Sequence, residues 1–431
     1  MRQESLNIAI AGLGTVGVGV AELLIKQSAN LKKRSGCALN LVAVSSRDKS
    51  KIRDINLQNI RWFDDAIELT KQPDIDVIVE LIGGSEGIAA ELCERALAAS
   101  KHVVTANKAL IAHHGVRLAE IAEANGVQLQ FEASVAGGIP IIKLIKEGLV
   151  ANDYQKMIGI LNGTCNYILS TMEQTGRSFA DVLAEAQALG YAEADPAFDI
   201  DGIDAAHKLC ILSAILFGTK PAISGLNCDG IRNITAEDIK YAKELGYTIR
   251  LIAATAKHDD KIELRVHPAL LELGTPVSEV DGVYNAVHLF ADAVGDVFIE
   301  GKGAGRYPTA SAVVADIIDV ARGNVTPAFL TPTKQLINAD ILPLDEHQSA
   351  HYLRMEVHDN SGVLASITKA FSDSNVSIAR LIQHEMREAK AATIILTTHV
   401  TKERNIKNAL KEINSHGDIL LSPATLIRIE E

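Results

Sequence analysis

Between Ala186 and Lys208 the chain gathers residue types that do chemistry. Five carboxylates, Glu193, Asp195, Asp199, Asp201 and Asp204, crowd around a single cation, Lys208. Asp195-Pro196 closes a loop, because proline fixes its own φ and biases the preceding residue away from the helical region. Beyond Gly202 the positions of Ile203, Ala206, Leu209 and Cys210 predict a helix. Asp204 and Lys208, four apart, then share one face of it. The cluster suits a zwitterionic substrate: a carboxylate holds an ammonium group while the lysine faces an oxygen. Spacing alone equally fits a solvated acidic loop with an ordinary helical ion pair, which is a weak interaction.

Such a cluster needs elements to position it, and 431 residues supply more than one core, so two or three domains are expected. High apolar and low aromatic content fits an α/β protein. The formal charge of −12, with no basic stripe, argues against a nucleic-acid or anionic-membrane partner. Five scattered cysteines lack metal-ligand spacing and favour a reducing compartment. The polar start and the lack of a long apolar span make a cytoplasmic location the expectation.

Leu6 to Ala11 reads as a buried strand, and a helix runs from Val18 to Lys26. Between them stand Gly12, Leu13, Gly14, Thr15, Val16 and Gly17. Strand before and helix after give this glycine pattern its meaning as a dinucleotide site. The first glycine permits the turn, the second lets a pyrophosphate approach, and the third lets helix and strand pack. The second strand, Leu39 to Val44, ends in Ser45, Ser46, Arg47, Asp48 and Lys49. Arg47 and Lys49 suit a 2′-phosphate, which predicts NADP(H) preference with NAD(H) tolerated. Asp76 to Ile82 is a third strand. After a fourth, Thr105, Ala106, Asn107 and Lys108 sit at the carboxyl edge where open parallel sheets bind ligands, so Lys108 is placed to meet the nicotinamide end or the substrate.

Gln128 to Glu132 reads as a further strand, followed by a Gly-rich turn and a helix from Ile141. Asn162 to Tyr167 opens another helix, with Asn162 or Thr164 as a cap or a ligand contact. Cys165 sits where a helix N-terminus favours a thiolate, but no histidine is near in sequence and free cysteine usually packs as a small apolar residue.

These motifs together closely resemble the homoserine dehydrogenase family, in order and over essentially the whole chain. The run from Ala186 to Lys208 matches the family signature at every required position. So do Gly12 to Gly17, Thr105 to Lys108 and Asn162 to Tyr167. The resemblance implies reversible reduction of L-aspartate 4-semialdehyde to L-homoserine with NADPH or NADH. It implies Lys208 as proton donor, Lys108 as a second active-site lysine, and Glu193 and Asp204 as substrate-holding carboxylates. Thr164 would join them at the substrate, with Gly190 beside the cofactor. Glu132, Val135, Gly137 and Ile139 match a sodium site built mostly of backbone carbonyls. A second glycine loop with Gly303 and Gly305 returns to the cofactor, ahead of a helix from Ala310 to Ala321. The chemistry is coherent, since an ammonium group stabilises charge growing on the aldehyde oxygen and can protonate it.

From residue 351 the order β-α-β-β-α-β is ferredoxin-like. Its Asp359-Asn360-x-Gly362 turn resembles the ACT module, which implies an effector site at Asp359, Asn360 and Gly362, with L-threonine as the expected ligand. The expected organisation is a Rossmann-type dinucleotide-binding domain over 1–132, completed by 303–325. An α+β substrate and dimerisation domain follows over 133–302, then a linker over 326–350 and an ACT domain over 351–431. Strand edges in such modules invite a homodimer or homotetramer. Three rival readings stand beside it. One is another NAD(P)-dependent enzyme, such as an amino-acid or hydroxy-acid dehydrogenase. The second is an aspartate-semialdehyde dehydrogenase, which needs a cysteine nucleophile. The third is a non-enzymatic dinucleotide and amino-acid sensor.

Overall fold

The computed structural model describes residues 4–386, 391–415 and 419–430. The first domain is built on a six-stranded parallel sheet. Across it the strands run Arg61–Phe63, Ala38–Ser45, Ser5–Ala11, Val77–Glu80, His102–Thr105, Leu129–Gln130. Chain order reverses between Ser5–Ala11 and Val77–Glu80, which opens a crevice at the carboxyl ends of those strands. Ile8, Ile10, Val77 and Val79 are fully buried, as a sheet covered on both faces requires.

Helix Arg306–Arg322 returns from far along the chain to complete this domain. It packs on helix Thr15–Lys26, where a Cβ on Gly19 would come within 2.9 Å of Arg306. Arg306 and the Tyr307 hydroxyl both donate to Glu22, at 2.7 and 3.1 Å. The helix starts before the Ala310 expected from sequence, directly after Gly305. The strand expected over Gln128–Glu132 is only Leu129–Gln130. Beyond it Glu132 turns away, and its carboxylate accepts the Ile142 and Lys143 backbone N–H groups at 3.0 and 2.7 Å.

The second sheet has eleven strands. Gly295–Lys302, Tyr284–Ala291, Tyr154–Ile160, Tyr247–His258 and Lys261–Glu272 lie side by side, each antiparallel to its neighbour. Helices Gly163–Thr175 and Ile203–Phe217 cover one face. The sheet then continues into the C-terminal module. Thr425–Glu430 pairs in parallel with Lys261–Glu272, and Gln348–His358, Ala391–Thr398 and Ile378–Met386 follow. Helices Val363–Asp373 and Glu403–Ser415 complete the expected β-α-β-β-α-β order.

Residues 326–350 are therefore not a free linker. Phe329 is fully buried and packs against Phe131. Thr333 donates from its backbone and hydroxyl to Glu123. Ile337 and Ile341 form bridges to Thr219 and Ile262. The segment is a strap across both preceding domains, and its prolines hid this by breaking the hydrophobic period.

Candidate active site

A cavity of about 640 Å³ lies between the two larger domains. Its walls come from both glycine loops, from Lys108 and Ala106 after the fifth parallel strand, and from the Asn162–Thr164 and Gly190–Tyr191 turns. Asp199, Asp204 and Lys208 close its floor.

Helix Ile203–Phe217 is buried along almost its whole length, so Asp204 and Lys208 are held rigidly. Lys208 Nζ donates to Asp204 Oδ2 at 2.7 Å and to the Leu161 carbonyl at 2.6 Å. Lys108 Nζ approaches Asp204 Oδ1 at 3.0 Å. Asn162 caps its own helix through the Cys165 N–H, and its amide donates to both Asp199 and Asp204 at 2.8 Å. Burial alone would raise the Asp204 carboxyl, but the Lys208 and Lys108 ammonium groups more than reverse this and hold it below the usual carboxylate range. Asp199 moves the other way, raised by burial and by the charge of Asp204.

The sequence picture of many carboxylates around one cation is thus corrected. Two lysines flank one buried aspartate. Asp201 turns away to pair with Arg232, and Asp195 caps the turn at Ala197. Glu193 is exposed and lies outside the cavity walls. Asp199 remains at the cavity, and among the described residues its Oδ2 makes no hydrogen bond. Thr164 lines the wall and donates to the Tyr191 carbonyl at 2.8 Å. Cys165 is fully buried, its thiol raised well above the usual range by burial, so it does not act as a nucleophile.

Local chemistry explains the loops. Gly12, at φ 101°, has its missing Cβ aimed at the Leu81 carbonyl, 2.5 Å away. A Cβ on Gly17 would strike the Gly12 carbonyl, whereas one on Gly14 would meet open space, as a site for a pyrophosphate requires. Glu80, unremarked in sequence, is buried and accepts the Ile82 and Gly83 N–H groups and the Thr105 hydroxyl. Thr105 in turn accepts the Asn107 N–H at 2.9 Å. This chain fixes the loop carrying Lys108.

Asn285 was also missed. Both its side-chain amide atoms are buried without a partner, and it sits where a Cβ on Gly303 would be, 2.0 Å away. An orphaned amide at this wall fits a polar ligand group such as a nicotinamide carboxamide. At the tip of the second strand Arg47 is exposed, while Arg53 spans the gap. Arg53 donates to the Leu13 carbonyl, the Ser46 hydroxyl and the Asp48 carbonyl at 3.3, 3.0 and 2.8 Å.

A glycine-loop parallel sheet facing a buried lysine pair across a cleft defines a nicotinamide-dinucleotide-dependent dehydrogenase acting on a small polar substrate. The comparisons narrow this. Residues 140–318 match the model for homoserine dehydrogenase, residues 12–132 that for its NAD-binding domain, and residues 351–418 that for the ACT domain. The chain is 46% identical to a homoserine dehydrogenase of Neisseria gonorrhoeae, over 99% of both chains. It is 42% identical to that of Pseudomonas aeruginosa, again over 99% of each. The crystal structure of a homoserine dehydrogenase from Thiobacillus denitrificans superposes with a TM-score of 0.94 at 42% identity, covering 100% of both chains. The chain belongs to the homoserine dehydrogenase family. It is an oxidoreductase with a nicotinamide cofactor and a C-terminal ACT domain.

Proposed function

We propose that this cleft interconverts L-aspartate 4-semialdehyde and L-homoserine with Lys208 as the proton donor. The observation that carries the reading is the buried Lys208–Asp204–Lys108 arrangement on the cavity floor. The reduced cofactor, when bound, supplies the hydride to the aldehyde carbon. Lys208 faces the oxygen on which negative charge then grows, and gives it a proton. Asp204 holds both ammonium groups in place, and Asn162 fixes the carboxylate so that neither lysine swings away. Asp199, with its unpaired oxygen, holds the substrate ammonium group. Glu193, exposed on the loop that follows Gly190 and Tyr191 of the cavity wall, is the second carboxylate assigned to the substrate, beside Thr164. Lys208→Ala with intact binding of both ligands and full turnover would overturn the assignment.

The cofactor residues Gly12 to Gly17, Thr105, Gly190, Gly303 and Gly305 serve the dinucleotide. NADP(H) is preferred, with the 2′-phosphate read by Arg47 together with Arg53, which already sits between the glycine loop and the strand tip.

Sodium fits the turn after Glu132. The carbonyls of the buried residues Val135 and Gly137 accept no hydrogen bond among the described residues. Those of Glu132 and Ile139 accept one each, which suits a hard cation held by carbonyl oxygens. The ACT domain answers to L-threonine; the turn of Asp359, Asn360 and Gly362, to which the family resemblance assigns the effector, is exposed. Gly362, at φ 95°, starts the following helix. The protein is a homodimer or homotetramer, because strands Gly295–Lys302 and Ile378–Met386 end the large sheet with pairable edges. No helix among the described residues is long and apolar enough to cross a membrane.

A further inference from the structure

A second cavity of about 640 Å³ lies where the catalytic sheet meets the ACT domain. Several parts of the chain wall it. Ala256, Glu263 and Arg265 come from the catalytic strands, His347 from the strap, and Glu430 from the last strand. Four of its charged or titratable groups are deeply buried: Arg265 is 3%, Glu263 5%, His347 6% and Glu430 7% exposed, whereas Lys156, Lys261, Glu346 and Lys402 sit nearer its mouth. Burying charges is costly unless they are paired, and most of these are. Arg265 Nε donates to Glu263 at 2.7 Å and Nη1 to Glu430 Oε1 at 2.5 Å. His347 Nδ1 meets Glu263.

The pairing is incomplete on the cavity side. Among the described residues Arg265 Nη2 and Glu430 Oε2 make no hydrogen bond, while Nη1 also meets His267 Nε2. His347 Nε2 is buried with no partner and stops 4.0 Å from Glu430 Oε1. An unpaired guanidinium nitrogen thus stands beside an unpaired carboxylate oxygen, each on a residue more than nine-tenths buried. A carboxylate answers the first and an ammonium group the second.

We propose that this junction cavity binds a free α-amino acid as its zwitterion, carboxylate on Arg265 and ammonium on Glu430, and that it is an effector site. The proposal rests on the reading that the C-terminal module answers to an amino acid, but locates the site away from Asp359, Asn360 and Gly362. That turn follows the far end of strand Gln348–His358, whose first residue borders the cavity. An occupant would touch both domains at once. The strand of wall residue Lys156 ends at Ile160, one residue before the carbonyl that holds Lys208. Wall residue Thr255 is bonded at 3.1 Å to Ser213 on the Lys208 helix. Occupancy therefore bears on the catalytic lysine through two short paths.

The test is calorimetric titration of the full chain with L-threonine and then the other proteinogenic L-amino acids, with saturating L-homoserine present to fill the active site. At least one should bind and change the rate of homoserine oxidation. Its N-acetyl and carboxamide derivatives should bind at least about tenfold more weakly, since each loses one charge-assisted contact. Glu430→Gln should weaken binding by about tenfold. Ala256→Phe, which fills the cavity and leaves every ion pair intact, should abolish it. Both variants should keep basal turnover, and Asn360→Ala should bind as wild type does. Binding lost in Asn360→Ala but kept in Ala256→Phe overturns this site and favours the exposed turn. Binding without a change in rate overturns the effector role. Binding of no amino acid overturns both readings of the module.

Discussion

Two buried charge clusters lie on opposite faces of the same strands, Tyr247–His258 and Lys261–Glu272. On one face, helix Ile203–Phe217 carries Asp204 between Lys108 and Lys208. On the other, Arg265 lies between Glu263 and Glu430. The first has two cations for one anion and opens onto the dinucleotide loops. The second has two carboxylates for one guanidinium, with histidines beside them, and joins two domains. A surplus of positive charge beside a cleft is suited to stabilising an anion that forms during reaction. A surplus of carboxylate at a domain junction is suited instead to holding the domains in register and to receiving a cationic group. Burial is similar in both, so what separates the reactive cluster from the junction cluster is the sign of the residual charge and what it faces.

Removing the reactive cation should have the largest effect. Lys208→Ala should lower kcat for homoserine oxidation by about 10³-fold, with cofactor binding unchanged in a fluorescence titration. Asp199→Asn should instead raise the KM for homoserine by about tenfold with little change in kcat, because it removes binding shared by ground and transition states. Steady-state kinetics separates the two outcomes. If Asp199→Asn and Lys208→Ala lose kcat alike, the division of roles within the cleft is wrong. Arg53→Ala should raise the KM for NADPH relative to NADH by roughly fivefold to tenfold, through loss of a charge-assisted phosphate contact, and Arg47→Ala by less.

The junction cluster should respond to pH rather than to substrate. Burial alone would raise Glu263, but His347 and Arg265 hold it at about 2, against an ordinary 4.5. Burial pushes His267 down to about 4 from 6.5. In both cases the unfolded chain binds protons more readily than the folded one, so stability falls as pH falls. The histidine contribution is lost between about 6.5 and 4 and the carboxylate contribution between about 4.5 and 2. Denaturant melts across this range should become less steep below pH 4.5 in Glu263→Gln, while turnover near neutrality changes little.

The legible parts of the molecule were those set by residues close in sequence. The Gly12–Gly17 loop, the Asp204–Lys208 face and the ferredoxin-like order all follow from short-range spacing. The partners of these groups did not. Lys108 reaches Asp204 from another domain, and Asp201 finds Arg232 rather than the cluster it adjoins. Asn162 was legible as a cap but not as the bridge between two aspartates. Asn285 and Glu80 act only through what the fold brings to them. Prolines made residues 326–350 read as a linker, although backbone bridges tie them to Thr219 and Ile262.

The central claim concerns one contact, between the Lys208 ammonium group and the oxygen that changes from aldehyde to alcohol. A crystal structure of the full chain with oxidised cofactor and L-homoserine measures it directly. Lys208 Nζ should lie at about 3 Å from the side-chain hydroxyl, with Asp204 still between the two lysines. A hydroxyl held by other groups, with Lys208 bound only to Leu161 and Asp204 and beyond contact with it, would contradict the account.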